Sequence, residues 1–288
     1  MNRLIKQIVY LYLRENRKRK KLNEVGCFRS LHTALRKKPG IVVKEYHAKS
    51  YVKFSIQDTN FKKIKKYGKC ELSDLVIISF SSKKQHPVKI TFLQAKITKN
   101  SISHAKRYKH KYSVDHTQWD LLHNRPSVKP TGQIKNKVPS TILSNAVYPS
   151  IGSYGFFIPE SNGKDAGFSF FSSAILRPVK AICGKAGQVT VQMGKNRKTN
   201  PDETNYCCCL SIFLENLFLG RIGSPIRTQA ENELVGGLIK SILDENVSTE
   251  EETILNSLRE QLDLDQKEIQ KINMRFVVID TSKIRTEA

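Results

Sequence analysis

The chain has few acidic residues and no long apolar run. It carries 26 Asp and Glu against 49 Lys and Arg, a formal charge of +23 over 288 residues. An excess of this size favours a polyanionic partner, and nucleic acid is the natural one. No apolar segment approaches the roughly 20 residues that span a bilayer, so we expect no membrane contact. The apolar stretch at residues 4–13 contains charges and lacks a small-residue cleavage site, so we expect a cytoplasmic protein.

Several enzyme signatures are also missing. The sequence contains no GXGXXG, no P-loop and no GXSXG, so it gives no support to dinucleotide, P-loop ATP or serine-hydrolase chemistry. Its six cysteines lack the spacing of a zinc site, since three are isolated and three form the run Cys207, Cys208 and Cys209. We therefore expect reduced and mostly buried thiols.

The charge is unevenly distributed along the chain. Residues 1–70 contain 20 basic and 4 acidic side chains, whereas residues 229–270 contain 3 basic and 11 acidic ones. The first segment is expected to attract phosphate and the second to repel it. We expect the acidic segment to form helices that offer a docking surface for a protein partner. A homodimer is a further option.

A helix is predicted over residues 2–22, where apolar residues recur at helical spacing. It ends in a basic run of Arg17, Lys18, Arg19 and Lys20. These side chains either grip a phosphate backbone or form a solvated charge run. A second helix is predicted to begin after Asn23 and to continue to residue 38.

Two further basic segments are candidates for nucleic-acid contact. Residues 60–69 include Lys65 and Lys66, interleaved with aromatic residues. Residues 101–112 carry a dense basic face that includes Lys106 and Arg107. Both segments are predicted to face a nucleic-acid partner.

A β-hairpin is predicted at the centre of the first half. Two apolar runs, Leu75–Phe80 and residues 88–97, flank a polar break that contains a proline. Because side chains alternate along a strand, Gln94 and Lys96 are expected to point to the same face. Antiparallel pairing would bring Asp74 beside them, so that a carboxylate, an amide oxygen and an amine converge.

Asp74, followed 20 residues later by Gln94 and then Lys96, resembles the PD-(D/E)XK nuclease superfamily in its QXK variant. By this resemblance Asp74 is a ligand of Mg²⁺ or Mn²⁺, Gln94 replaces the second acid, and Lys96 serves the attacking water. The family's proline is replaced by Ser73, and Gln94 is uncharged. An amide binds Mg²⁺ more weakly than a carboxylate, so Glu24 or Glu71 is expected to supply a compensating acid.

The predicted order of helix, three strands, helix and strand resembles the αβββαβ core of that superfamily. We expect an α+β fold with a mixed central sheet and a C-terminal helical extension. Residues 1–160 would form the basic core, and residues 161–288 a strand-rich continuation with acidic helices, packed on it as one unit.

The resemblance implies a metal-dependent endonuclease that hydrolyses DNA rather than RNA, with restriction or phage defence suggested by family analogy alone. The alternative is a non-catalytic nucleic-acid-binding protein or subunit with a degenerate nuclease fold. In that case Asp74 would be a turn residue and Lys96 a solvated charge. The missing second carboxylate keeps this alternative open.

Overall fold

The chain folds into a mixed α/β structure. A computed structural model describes residues 1–36, 38–45, 50–57, 67–99, 110–161, 163–180, 187–193, 207–245, 247–264 and 269–286. Its helices are α1 (Asn2–Arg17), α2 (Glu24–Leu35), α3 (His116–Asn124), α4 (Leu210–Phe218), α5 (Gln229–Leu243), α6 (Thr249–Gln261) and α7 (Thr281–Thr286). Its strands are β1 (Ile41–Lys44), β2 (Tyr51–Ser55), β3 (Tyr67–Glu71), β4 (Leu75–Phe80), β5 (Lys89–Ile97), β6 (Tyr112–Asp115), β7 (Lys129–Pro130), β8 (Gly152–Pro159), β9 (Ala166–Ser172), β10 (Leu176–Lys180), β11 (Gln188–Met193), β12 (Cys207–Cys209), β13 (Ser224–Pro225) and β14 (Phe276–Asp280).

An eight-stranded mixed sheet forms the centre of the fold. Its order is β1-β14-β4-β5-β8-β9-β12, with the short strand β13 pairing on β5. The predicted hairpin is present, because β4 and β5 pair antiparallel and place Leu75 opposite Leu93. Strand β8 then runs parallel to β5, and β14 runs parallel to β4. The predicted α+β class with a mixed central sheet is therefore confirmed.

The last strand of the chain lies near the middle of this sheet. Strand β14 separates β1 from β4 and is buried along its whole length, as is β4. Both strands are almost continuously apolar, which is the pattern of strands covered on both faces. The sheet thus joins strands from residues 1–160 with strands from residues 161–288.

Hydrophobic layers cover both faces of the sheet. Side chains of β4 alternate between them, Val76 and Ile78 entering one core and Leu75 and Ile77 the other. The first core contains residues of α3, α5 and α6, and the second contains residues of α1, α2 and α4. Gln94 and Lys96 lie toward the end of β5.

The structure differs from the sequence-based boundaries in five places. Strand β2 leaves the central sheet and pairs with β3 and β7, although three consecutive strands of one sheet were predicted. Helix α1 ends at Arg17, not at residue 22, and α2 ends at Leu35, not at residue 38. The sequence also predicts a helix over residues 113–126, but strand β6 comes first and α3 starts only at His116, because the Asp115 side chain caps the N–H of Gln118. A helix is predicted over residues 249–272, but α6 ends at Gln261, shortly before Asp263 with a φ of 50°.

Free thiols are found at Cys27, Cys70, Cys208 and Cys209. Burial raises the pKa of the Cys27 thiol to about 11 and raises that of Cys70 further. Within the described parts of the chain, no helix combines the length and the apolar character needed to cross a membrane.

Candidate active site

The start of β4 and the end of β5 bring the predicted residues together. The N–H of Asp74 donates to the carbonyl of Leu93 at 3.0 Å, which continues the antiparallel ladder and sets Asp74 opposite Gln94. The Asp74 carboxylate then accepts a hydrogen bond from the N–H of Ala95 through Oδ2 at 2.7 Å. Since Ala95 stands between Gln94 and Lys96, this bond fixes the carboxylate at the predicted point.

The Gln94 side chain is fully buried, with 0 % of its surface exposed. Its Nε2 donates to the backbone carbonyl of Glu71 at 3.4 Å, which orients the amide. Its Oε1 has no hydrogen-bond partner among the described residues. Buried oxygens in native proteins are rarely left without a donor, and an amide oxygen is a hard ligand of the kind that Mg²⁺ uses. The unsatisfied oxygen therefore fits a cation ligand.

Glu24 is the acidic residue whose carboxylate reaches this point. It opens α2, where the Asn23 side chain accepts the N–H of Gly26 at 2.7 Å and fixes the start of the helix. Its carboxylate accepts the N–H of Ile97 and lies 3.9 Å from the Lys96 Nζ. Glu71, the other candidate acid, contributes its backbone carbonyl to Gln94.

The electrostatics of the two carboxylates are unfavourable in the ligand-free protein. Burial is the main cause that raises the pKa of Asp74, against the opposing effects of Lys96, the Ala95 N–H and Arg275. Burial also raises the pKa of Glu24, and the charge of Asp74 adds to that rise while Lys96 opposes it. A bound cation would relieve both effects, and carboxylates with pKa values raised in this way are typical of functional sites.

Arg275 belongs to this site and was not predicted. Its Nη1 donates to the backbone carbonyl of Asp74 at 3.2 Å, and its guanidinium lies 5.1 Å from the centre of the Phe28 ring. It immediately precedes β14, so the pairing of β14 with β4 carries it to the site. Nothing in the local sequence marks it, since the contact spans 201 residues.

Tyr154 is the second residue that sequence reasoning missed. It stands opposite Gln94 in the parallel pairing of β5 and β8. Its ring is fully buried, and its hydroxyl has no hydrogen-bond partner in the described part of the chain. Burial raises its pKa well above the usual value, helped by nearby acids that include Asp74. The hydroxyl therefore stays protonated at neutral pH.

The basic residues predicted to bind nucleic acid are only partly directed to solvent. Arg17 forms two hydrogen bonds with the carboxylate of Asp165, at 2.8 and 3.1 Å. Lys18 pairs with Glu15 at 2.6 Å, and the side chain of Arg19 donates to Ser30 of α2 at 3.0 Å.

Lys20 is exposed. The other four residues predicted to bind nucleic acid, Lys65, Lys66, Lys106 and Arg107, lie outside the described residues.

The donor set of the site consists of oxygens from two carboxylates and one amide. Over the ranges that the structure describes, no three His, Cys, Asp or Glu side chains group closely enough to hold a metal ion. A site here would depend on Gln94 for its third side-chain ligand.

No family model, curated protein or solved structure matches the chain. Its function must therefore be inferred from the chemistry of these side chains.

Proposed function

We propose that the protein is a metal-dependent endonuclease that hydrolyses phosphodiester bonds in DNA. The observation that carries the proposal is the Oε1 of Gln94, a buried oxygen without a donor among the described residues, on the residue that the strand pairing sets opposite Asp74. Strand pairing holds the two side chains in place, so the arrangement depends on the rigid sheet and not on a loop.

The residues that would hold the cation are Asp74, Gln94 and Glu24. All three offer oxygen, which suits Mg²⁺ or Mn²⁺ better than metals that prefer soft thiolate ligands. When bound, such an ion would lower the pKa of an attacking water and offset the charge of the phosphate.

The surrounding groups of the protein hold Asp74 in position and would orient the water or the substrate. The bond from Ala95 occupies one oxygen of Asp74, and Arg275 fixes the backbone of the same residue. The amine of Lys96 is partly exposed and pairs loosely with Glu24 at 3.9 Å. It is therefore placed to hold a water or a phosphate oxygen near the carboxylates.

A cleavage assay tests this function. Plasmid DNA, linear DNA and RNA are incubated with the purified protein in Mg²⁺, Mn²⁺ or EDTA. We expect metal-dependent cleavage of DNA that falls about a hundredfold or more in Lys96→Ala, because a cation that positions water is lost. Lys89→Ala is the matched control, since it removes the same charge from the opposite end of β5.

The main alternative is a nucleic-acid-binding protein with a degenerate nuclease site. It is favoured by the lack of a third clustered acid among the described residues. The alternative replaces the nuclease proposal if the wild type cleaves no DNA or RNA in any metal and Gln94→Glu, which restores a second acid on the hairpin, creates no activity.

A further inference from the structure

One face of α1 carries a stripe of exposed basic residues around an exposed tyrosine. Their spacing follows the helical repeat of 3.6 residues, with Lys6 and Gln7 adjacent, which places them on one side of the helix. They are Arg3, Lys6, Gln7, Tyr10, Arg14 and Arg17, all exposed. Tyr10 is 62 % exposed although it is aromatic. We call these residues the α1 stripe.

The opposite face of α1 is fixed in the hydrophobic core. Ile5, Ile8 and Tyr12 are buried there, with 6, 0 and 1 % of their surfaces exposed. The helix is therefore anchored by its apolar face, and the stripe is the face that it offers to solvent. The stripe contains no acidic residue, and Glu15, the acidic residue of this helix, pairs with Lys18 at 2.6 Å and lies 3.7 Å from Arg14 of the stripe.

The first turns of the stripe form a shallow depression. Arg3, Lys6, Gln7 and Tyr10 line it, so that two cations and an aromatic ring border the same space. Cations beside an exposed ring are the combination that single-stranded nucleic acids recognise, since the cations contact phosphates and the ring stacks on a base.

We propose that the α1 stripe binds the sugar–phosphate backbone of a nucleic acid. At a rise of 1.5 Å per residue the stripe extends for about 21 Å from Arg3 to Arg17. That length covers about six phosphates of one strand at the axial spacing of duplex DNA, roughly 3.4 Å. Because Arg17 is paired with Asp165, the cations that the stripe offers to such a strand are Arg3, Lys6 and Arg14, enough to offset about half of its charge.

The chain runs from the stripe directly into the helix that carries one acid of the candidate active site. At the far end of the stripe Arg17 is fixed by Asp165, and the side chain of Arg19 donates to Ser30 of α2. Helix α2 begins with Glu24, the acid whose carboxylate lies near Lys96. The inference thus rests on the proposed nuclease in naming where its substrate lies, although binding at the stripe needs no metal.

A membrane surface is disfavoured as the partner. Basic amphipathic helices bind membranes by inserting their apolar face into the lipid. In α1 that face is already buried against the protein. The stripe would therefore bind a partner through its positive charges and the Tyr10 ring.

Binding measurements on two matched triple variants test the proposal. The stripe triple is Arg3→Gln, Lys6→Gln and Arg14→Gln. The control triple is Lys83→Gln, Lys135→Gln and Lys240→Gln, which removes three exposed charges elsewhere. Fluorescence anisotropy with a labelled duplex of about two helical turns in EDTA gives the affinity at several salt concentrations, and circular dichroism checks that each variant is folded.

We expect the stripe triple to bind at least about tenfold more weakly than the control triple in roughly 0.1 M salt. The magnitude of its salt slope should fall by about 2.7, or about 0.9 for each of three phosphates that the variant no longer neutralises. Equal affinities and equal slopes for the two triples would overturn the proposal. Tyr10→Ala should weaken the binding of single-stranded DNA about tenfold and the binding of a duplex less, because the ring stacks on exposed bases. Equal losses for the two would show that Tyr10 does not stack on a base.

Two further measurements separate this inference from its rivals. Phosphatidylserine vesicles serve as the lipid probe, and a stripe triple that loses vesicle binding but keeps DNA binding would assign the stripe to membranes and overturn the proposal. Cleavage in Mg²⁺ separates it from the nuclease assignment. If binding depends on the stripe but no cleavage occurs, the binding proposal holds and the nuclease proposal is wrong. If the stripe triple binds and cleaves like the wild type, the nuclease proposal holds and the binding proposal is wrong.

Discussion

Two aspartates lie at opposite ends of β4 and have different surroundings. Asp280 ends β14 beside Phe80, the last residue of β4. Its Oδ1 accepts the N–H of Ser82 at 3.2 Å and the N–H and hydroxyl of Ser282 at 3.1 and 2.7 Å. Asp74, at the other end, accepts a hydrogen bond from Ala95 through Oδ2.

The neighbours of the two carboxylates differ as much as their bonds. The Oδ1 of Asp280 accepts from one hydroxyl and two backbone N–H groups of the turns that it closes, while its Oδ2 has no hydrogen-bond partner among the described residues. Asp74 faces the cations Lys96 and Arg275 and the second carboxylate of Glu24, and its pKa is raised by burial. Three donors on one oxygen indicate a structural role, whereas a buried carboxylate among charges indicates a functional one.

The largest expected effect that separates the two aspartates is on catalysis. Asp74→Asn should lower the cleavage rate about 10³-fold, because the negatively charged carboxylate that would hold the cation is lost. Asp280→Asn should leave cleavage per folded molecule within about twofold of the wild type. It should instead lower the free energy of unfolding by about 2 kcal/mol, since hydrogen bonds to a charged group are weakened. Cleavage rates and urea unfolding in EDTA measure both.

The same pair predicts opposite changes in melting temperature. A raised pKa means that the folded state holds the Asp74 proton to higher pH than the unfolded state, so ionised Asp74 lowers stability above its folded pKa. Asp74→Asn should therefore melt higher than the wild type at about pH 8 in EDTA and nearly equal to it below the unfolded pKa of about 3.9. A lower melting temperature at the higher pH would contradict the functional role of Asp74.

Gln94→Glu sharpens the comparison with an intermediate effect. The new carboxylate is buried beside Asp74 and Glu24, so the metal-free protein should lose about 3 kcal/mol of stability near neutral pH. Mg²⁺ should restore it and raise the melting temperature more than in the wild type, because a carboxylate is the stronger ligand. Gln85→Glu, at an exposed position, is the control. Equal Mg²⁺ shifts in the two variants would show that Gln94 is not a ligand.

The smallest expected effect is that of a substitution at Glu45, whose pKa is lowered whereas that of Asp74 is raised. The ring of His32 donates through Nδ1 to its carboxylate at 2.8 Å, and this bond is the main cause that lowers the pKa of Glu45 to about 2. Arg275 and Arg29 also favour its ionised form.

Glu45→Gln should cost about 1.5 kcal/mol above the unfolded pKa of about 4.3. The depressed pKa contributes stability above that value, so the loss should fade as the pH drops toward the folded pKa of about 2. Urea unfolding across this acidic range and up to neutral pH measures it. A loss that is independent of pH would show that packing, not charge, is responsible.

Local patterns were enough to predict the β4–β5 hairpin and the position of Asp74 near Gln94 and Lys96 on it. The apolar runs of β4 and β5, the alternation of Gln94 and Lys96, and the cap at Asn23 all depend on neighbours in the sequence. Two of the helix-boundary errors also have a local cause, whereas the pairing of β2 with the distant β7, outside the central sheet, depends on tertiary assembly. The Asp115 cap delays α3, and α6 ends at Gln261 although the apolar pattern continues.

The sequence by itself determined the basic character of the chain, the hairpin and the placing of Asp74 beside Gln94 and Lys96. Only the tertiary structure set the Glu24 carboxylate near Lys96, brought Arg275 to the backbone of Asp74 and Tyr154 opposite Gln94, and tied Arg17 to Asp165. Side-chain alternation and capping act over a few residues, so the local sequence is enough to predict them. The pairing of β14 with β4, and of β8 with β5, depends on how the sheet is assembled, and no local pattern contains it.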